Sequence, residues 1–207
     1  MTELATRLPQ GLATLDESGR ALLFTEARTP NTFSNEPVSD EELTAIWELA
    51  KWPPSAANTQ PLRVVFVRTD AGRARLLPHL SEGNRGKTAT APVVAILAAD
   101  NEFHEYTATT FPIRPELQDH FASDDDMRKG AASFNATLQT GYFLLAVRAN
   151  GLVAGPMGGF DKDGLDAEFF ADGRFKSLLV VNIGHPGENP WFPRLPRLAN
   201  EAVLTWA

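Results

Sequence analysis

Cysteine is absent from all 207 residues. That excludes disulfides, a thiolate nucleophile, zinc–thiolate sites and iron–sulfur clusters. Basic clusters are missing too: 19 Lys and Arg stand against 26 Asp and Glu, a formal charge of −7. Nucleic acid and acidic membrane surfaces are therefore not expected as partners. No apolar run approaches the ~20 residues a membrane helix needs. The N-terminus lacks the continuous apolar stretch of a secretory leader. His79, His104, His120 and His185 have no metal-ligand spacing, so no metal site is expected. A cytoplasmic, soluble protein of one domain is the expectation.

What is present is organised around residues 133–161. Phe134, Leu138, Tyr142, Leu145 and Ala149 recur at spacings of three and four, one face of a helix. Between residues 141 and 147 the apolar character spreads round the circumference, which predicts burial on more than one side. Gly141 in mid-helix costs ~1 kcal/mol relative to Ala, and fits a site where another backbone or a ligand comes close. Asn150-Gly151 is the expected stop. Then follow Gly155-Pro156-Met157-Gly158-Gly159-Phe160-Asp161. Glycines let backbone N–H groups reach a flat or charged ligand. A plain tight turn before the next helix fits the same residues. The spacing is not the dinucleotide-binding G-x-G-x-x-G.

Residues 1–20 read as an N-terminal arm, ahead of one domain over 21–207. A helix ending near residue 26 leads into Ala27-Arg28-Thr29-Pro30-Asn31, where guanidinium and hydroxyl groups suit a phosphate; a surface arginine beside a turn is the plainer reading. Ser39 and Glu42 form a capping box, opening a helix with Leu43, Ile46, Trp47 and Ala50 on one face. Pro53-Pro54 ends it. The short polar connector Ser55-Ala56-Ala57-Asn58-Thr59-Gln60-Pro61 joins that helix to a strand over 63–68, either as a binding loop or as a plain one. Residues 81–87 read as a flexible, glycine-punctuated segment in which Asn84 and Lys87 would share one side of a helical turn. Residues 92–99 are a near-continuous apolar strand, as in a sheet covered on both faces.

Residues 101–123 are aromatic and interrupted by proline, the pattern of a lid. Asp124, Asp125 and Asp126 suit the N-terminal end of the central helix. A helix after Asp161 and a strand over 177–183 follow. The tail, residues 186–207, is too rich in proline for a central strand yet apolar enough to wrap a partner subunit. Helices alternate with buried strands, so the fold class is α/β or α+β, one sheet between helical layers.

Taken in order, these segments resemble the nitroreductase family of FMN-dependent oxidoreductases. The pieces are Ala27-Arg28-Thr29-Pro30-Asn31, Pro54 to Pro61, Asn84-x-x-Lys87, Gly155 to Asp161 and Arg194-Leu195-Pro196-Arg197. The chain looks closer still to the malonic semialdehyde reductase branch of pyrimidine degradation, through Arg28-Thr29 with Asn31, Gly155-Pro156-Met157, Lys176-Ser177 and Arg194 to Leu198. The resemblance implies an α+β three-layer sandwich with a central, mostly antiparallel sheet. It further implies an intertwined homodimer with two FMN sites in the interface, each lined by both chains. Arg28, Thr29, Asn31, Arg194 and Arg197 would bind the FMN phosphate. Lys87 would stabilise charge on the reduced flavin, and Asn84 would bond its pyrimidine edge. Pro156, Met157, Gly158 and Gly159 would bring backbone to flavin N5. Pro54, Ser55 and Ala56 would contact the ring from the other subunit, with Asn58 ordering their loop. No side-chain nucleophile is required.

Two positions depart from the family pattern. Asn31 stands where a second basic residue is frequent, shifting phosphate binding toward the tail arginines. Gly158 stands where many relatives carry Glu, leaving a site less hostile to an anionic substrate. The implied activity is ping-pong hydride transfer from NADH or NADPH through FMN to a small acceptor. Malonic semialdehyde, giving 3-hydroxypropanoate, is the leading acceptor, with Arg114 in the lid as a carboxylate ligand. Nitroaromatics or quinones are the alternative acceptors. A non-catalytic flavin-binding dimer, or a dimer without cofactor, is the alternative of another class.

Overall fold

Strand β2 (Val93–Asp100) runs through the middle of the molecule, and all eight of its residues are buried. Its side chains alternate between two cores. Val93, Ala95, Leu97 and Ala99 face the core beneath α2 (Asp40–Ala50) and α7 (Asp125–Ala149), whereas Val94, Ile96 and Ala98 face one that includes Leu76 and Leu165. The latter two lie on α3 (Asp70–Leu76) and α8 (Lys162–Phe169). A strand covered on both faces has no polar side, which is why its sequence shows no alternation. Each fully buried Ile, Leu or Val contributes roughly 1.5–3 kcal/mol of transfer free energy. The computed structural model describes residues 13–207; most of the expected N-terminal arm, residues 1–12, lies outside them.

The sheet has four strands in the order β1-β2-β4-β3, and every pairing is antiparallel. Strand β1 spans Leu62–Val67, β3 Val153–Met157 and β4 Phe175–Gly184. With helices on both faces, this is the expected α+β three-layer sandwich. The remaining arm residues include α1 (Glu17–Arg20), capped by Asp16 and widening into a π-helical turn over Ala21–Thr25. The Ser39–Glu42 capping box is present with both of its hydrogen bonds, and α2 stops before the two prolines.

One expectation needs correction. Residues 81–87 are not a flexible segment; they form most of α4 (Glu82–Thr90). Two glycines cost a helix roughly 2 kcal/mol, but tertiary bonds outweigh that here. The Arg85 guanidinium donates to Leu80 O and Pro78 O, and Asn84 Nδ2 donates to Gly159 O at 3.0 Å. The other point concerns α7. Its periodicity was legible, and within one chain the apolar stripe faces outward, as a helix at a subunit interface would: Phe134, Leu138 and Tyr142 are 72%, 41% and 43% exposed. The inward face carries Ala132, Ala136, Phe143 and Val147 with two amides, Asn135 and Gln139. Small residues let the helix sit close on the sheet. Gly141 lies in the outward stripe, with open space where a Cβ would be.

Residues 101–123 are helical rather than loose, with α5 (Thr107–Thr110) and α6 (Leu117–Ala122) after a 3₁₀ turn at Phe103–Tyr106. Phe103, Thr107 and Phe121 are buried. Buried Arg128 on α7 clamps both ends of the segment, donating to Asn101 O at 2.9 Å and Phe121 O at 3.1 Å. Asp124 caps α7 by accepting from Met127 N, so the acidic run is a helix start. The tail is extended apart from α9 (Asn200–Val203), and exposes Phe192, Leu195, Leu198 and Trp206.

Candidate functional site

The expected phosphate residues do come together. Arg28, Thr29, Asn31, Arg194 and Arg197 line one cleft of about 560 Å³. Backbone pairing between the two ends of the chain builds it. Asn31 N donates to Pro190 O at 2.9 Å, Ser34 N to His185 O at 3.0 Å and Gly187 N to Thr32 O at 3.1 Å. Thr32 Oγ1 adds a bond to Glu188 O. Buried Phe33 fixes this seam to the sheet, bridging to Pro186. The arginines bond mostly to neutral groups: Arg28 to Phe192 O, and Arg197 to Leu195 O and Pro196 O. Among the described residues the one carboxylate paired with the cleft is Glu26, 4.0 Å from Arg194. A larger cleft of about 770 Å³ lies elsewhere, and its Arg68 and Arg75 are neutralised by Asp40 and Glu168. An excess of positive charge distinguishes the smaller cleft.

A second cluster joins α4 to the end of β3. Gly159 O accepts from both Ser81 N and Asn84 Nδ2, each at 3.0 Å. A Cβ on Gly159 would lie 3.0 Å from Ser81 Oγ and 3.1 Å from Asn84 Nδ2, tighter than most side chains pack, so those neighbours would have to give by a few tenths of an ångström. Asn84 and Lys87 share one side of α4, both half-buried, while Gly158 is exposed. The Met157 side chain points into the core, its Sδ 3.6 Å from Thr88 Oγ1. Met157 and the half-buried Pro156 can therefore offer a ligand little beyond backbone. Asn84 spends one amide hydrogen on Gly159, leaving Oδ1 for a ligand.

Pro54, Ser55, Ala56 and Asn58 form a third cluster, whose backbone is strained. Ala57, Asn58 and Gln60 have φ of 50°, 50° and 45°, a region that costs non-glycine residues of order 1–3 kcal/mol each. Side chains hold it there. Ala56 N donates to Asn135 Oδ1 at 2.7 Å, Gln60 N to Ser55 Oγ at 3.1 Å and Asn58 Nδ2 to Thr110 O at 2.6 Å. Such strain persists where the surroundings over-determine it, and it clusters at binding sites. This cluster does not meet the first within one chain. Asn135 beside it and Arg148 beside the cleft are thirteen residues apart on α7, roughly 20 Å along the helix axis. Arg114 stands apart as well, on the exposed turn between α5 and α6, paired with Glu116, whose carboxyl that bond holds below its ordinary range.

Known proteins resemble this chain closely. The model of the Nitroreductase family matches residues 25–185. A Streptomyces coelicolor protein provisionally named an NADH dehydrogenase/NAD(P)H nitroreductase is 59% identical over 92% of this chain and 94% of its own length. A similarly named Leptothrix cholodnii protein is 48% identical over 89% and 93%.

The chain belongs to the nitroreductase family.

The fold agrees. A nitroreductase from Exiguobacterium sibiricum, solved in complex with FMN, superposes with a TM-score of 0.81 at 20% identity, covering 95% of this chain and 99% of that one. A Streptococcus pneumoniae family member gives 0.78 at 21%, covering 89% and 98%.

Several residues of this family member escaped the sequence reading. Arg148, in the last turn of α7, lines the same cleft as the other three arginines. Asn135 and Gln139 bracket the strained loop, with Gln139 Oε1 accepting from Leu62 N at 2.9 Å. Asp100 is fully buried at the end of β2 between Arg63 and Arg174, and Arg174 also pairs with Glu105. The bond to Asp100 raises the Arg174 pKa further above its ordinary value. A signal was available for the two amides: polar residues four apart within a helix that is otherwise buried on that side.

Proposed function

We propose that this chain is an FMN-dependent NAD(P)H oxidoreductase acting as a homodimer. The arginine-lined cleft carries the reading, because a phosphate monoester dianion needs guanidinium forks, and the cleft holds four of them against one paired carboxylate, Glu26. Arg28, Arg194 and Arg197 would hold the phosphate, with Thr29 and Asn31 adding neutral contacts. FMN, when bound, supplies a two-electron centre that takes hydride from NADH or NADPH and gives it to an acceptor. Lys87 would place a positive charge where reduction of a bound flavin adds negative charge, which would favour the reduced state. Asn84 Oδ1 remains open as an acceptor beside it. The exposed Gly158 and the Gly159 backbone offer a face without side chains for a flat ring.

The dimer is supported by two exposed apolar surfaces, the outward stripe of α7 and the tail, since contiguous patches of that kind mark interfaces. A second copy would also resolve the separation along α7, bringing its own Ser55–Asn58 loop to the other chain's cleft. For the acceptor, we favour a small aldehyde acid such as malonic semialdehyde, since Gly158 offers no carboxylate to repel it. The names of the relatives favour a nitroaromatic acceptor as the second reading.

An anaerobic titration tests the proposal. NADH or NADPH added to the FMN-saturated protein is expected to bleach the flavin absorbance. Colour return on adding malonic semialdehyde supports the first acceptor; return only with a nitroaromatic selects the second. A flavin that binds yet never bleaches would mean a non-catalytic flavin carrier.

A further inference from the structure

Arg148 stands apart from the other three arginines of the cleft. Those come from the seam between the two chain ends, whereas Arg148 rises from the last turn of the central helix. Its Nη1 donates to Leu23 O at 3.2 Å. Its Nε is buried and has no hydrogen-bond partner among the described residues. No carboxylate pairs with it among them either. An arginine held in this way has donors unspent and charge uncompensated, and such groups are costly to bury without an anion.

We propose that Arg148 is a fourth phosphate-binding guanidinium, approaching the FMN phosphate from the α7 side of the cleft. The inference rests on the flavin reading above and adds a residue to it. The ligand is a phosphate monoester dianion, one whose two charges are shared among four cations. Burial depresses the Arg148 pKa, so desolvation works against its charge and a bound dianion offsets that cost. Engaging a residue of α7 also ties the phosphate to the helix that carries the outward apolar stripe. Cofactor binding and the dimer face thereby share one rigid element.

The alternative is a purely structural role, a cation at a helix C-terminus that also anchors Leu23. The two roles separate in solution. FMN and riboflavin differ only in the phosphate, so their dissociation constants are measured by flavin fluorescence on flavin-stripped wild type, Arg148→Met and Arg148→Lys. Removing one charge-assisted hydrogen bond to a phosphate weakens binding by roughly 10- to 100-fold. Arg148→Met is expected to show that loss for FMN and less than about twofold for riboflavin. Arg148→Lys, which keeps the charge and loses the fork, should fall between. An unchanged FMN constant, or a parallel loss for riboflavin, overturns the proposal. Should the Met variant not fold, the Lys variant decides by the same FMN-to-riboflavin split. If wild type binds neither flavin, the flavin reading fails. Inorganic pyrophosphate then tests the anion site: a rise in melting temperature that Arg148→Lys diminishes upholds Arg148, and no rise overturns it.

Discussion

Two amides on α7 hold the two ends of the strained loop, and truncating them should have unequal effects. Asn135→Ala frees the Ala56 N–H, and Gln139→Ala frees the Leu62 N–H. An orphaned buried donor costs about 1–3 kcal/mol. Ala56 is itself exposed, so water reaches its freed N–H and the cost falls to about 1 kcal/mol. Releasing the loop also lets Ala57 leave its positive φ, which returns about 1 kcal/mol. Asn135 is itself 3% exposed, so a small cavity adds to the sum, and net destabilisation by Asn135→Ala should stay at about 1 kcal/mol. Leu62 and Gln139 are both 1% exposed, so nothing hydrates the second donor, and a cavity is left besides. Gln139→Ala should cost about 3 kcal/mol or more. Urea denaturation gives the two stabilities, and hydrogen exchange of residues 55–62 reports the loop. Asn135→Ala should open the loop with little global loss and weaken flavin binding. Equal costs for the two variants, or unchanged loop exchange in Asn135→Ala, would refute the reasoning.

Other outcomes follow from the same geometry. Lys87→Met should leave FMN bound but lower its reduction potential, read by a redox titration against a reference dye; an unchanged potential removes Lys87 from its assigned place. Asp100→Asn leaves Arg63 and Arg174 without their buried counter-ion and should cost about 3–5 kcal/mol, measured by the shift in denaturation midpoint. Phe134→Glu, on the outward stripe, should shift the protein to monomer in analytical ultracentrifugation; a native monomer in wild type would end the dimer proposal. Ser39→Ala should cost about 1 kcal/mol. The bonds from Ser39 N and Oγ hold the Glu42 carboxyl below its ordinary 4.5, so this carboxylate's contribution is present above pH 4.5 and is lost as pH falls through its lower folded value. The gap between Ser39→Ala and wild type should accordingly narrow on acidification.

The sheet order follows no local signal, yet three of the four strands were legible, β2 because it is buried on both faces and cannot alternate; β3 was not, since its Gly155-Pro156-Met157 reads as part of a glycine-rich turn. The Ser39–Glu42 and Asp124 caps were readable for the opposite reason: they are settled within four residues. Residues 81–87 misled because Gly83 and Gly86 disfavour a helix locally, and the compensating bond to Gly159 O comes from 75 residues away in sequence. The apolar stripe of α7 was legible as well, but apolarity marks burial without saying in which chain. Of the site, Arg28, Arg194 and Arg197 were found through motif order and meet in one cleft. Arg148 was invisible, being the sort of cation any helix C-terminus carries.

Arg128 and Asp100 fasten the segment 101–123 at its flanks, leaving the turn from Phe111 to Glu116 touching little. Ile113 there is 77% exposed. That turn is free to vary: its length and chemistry can change by substitution or insertion with small effect on folding, while the anchors stay put.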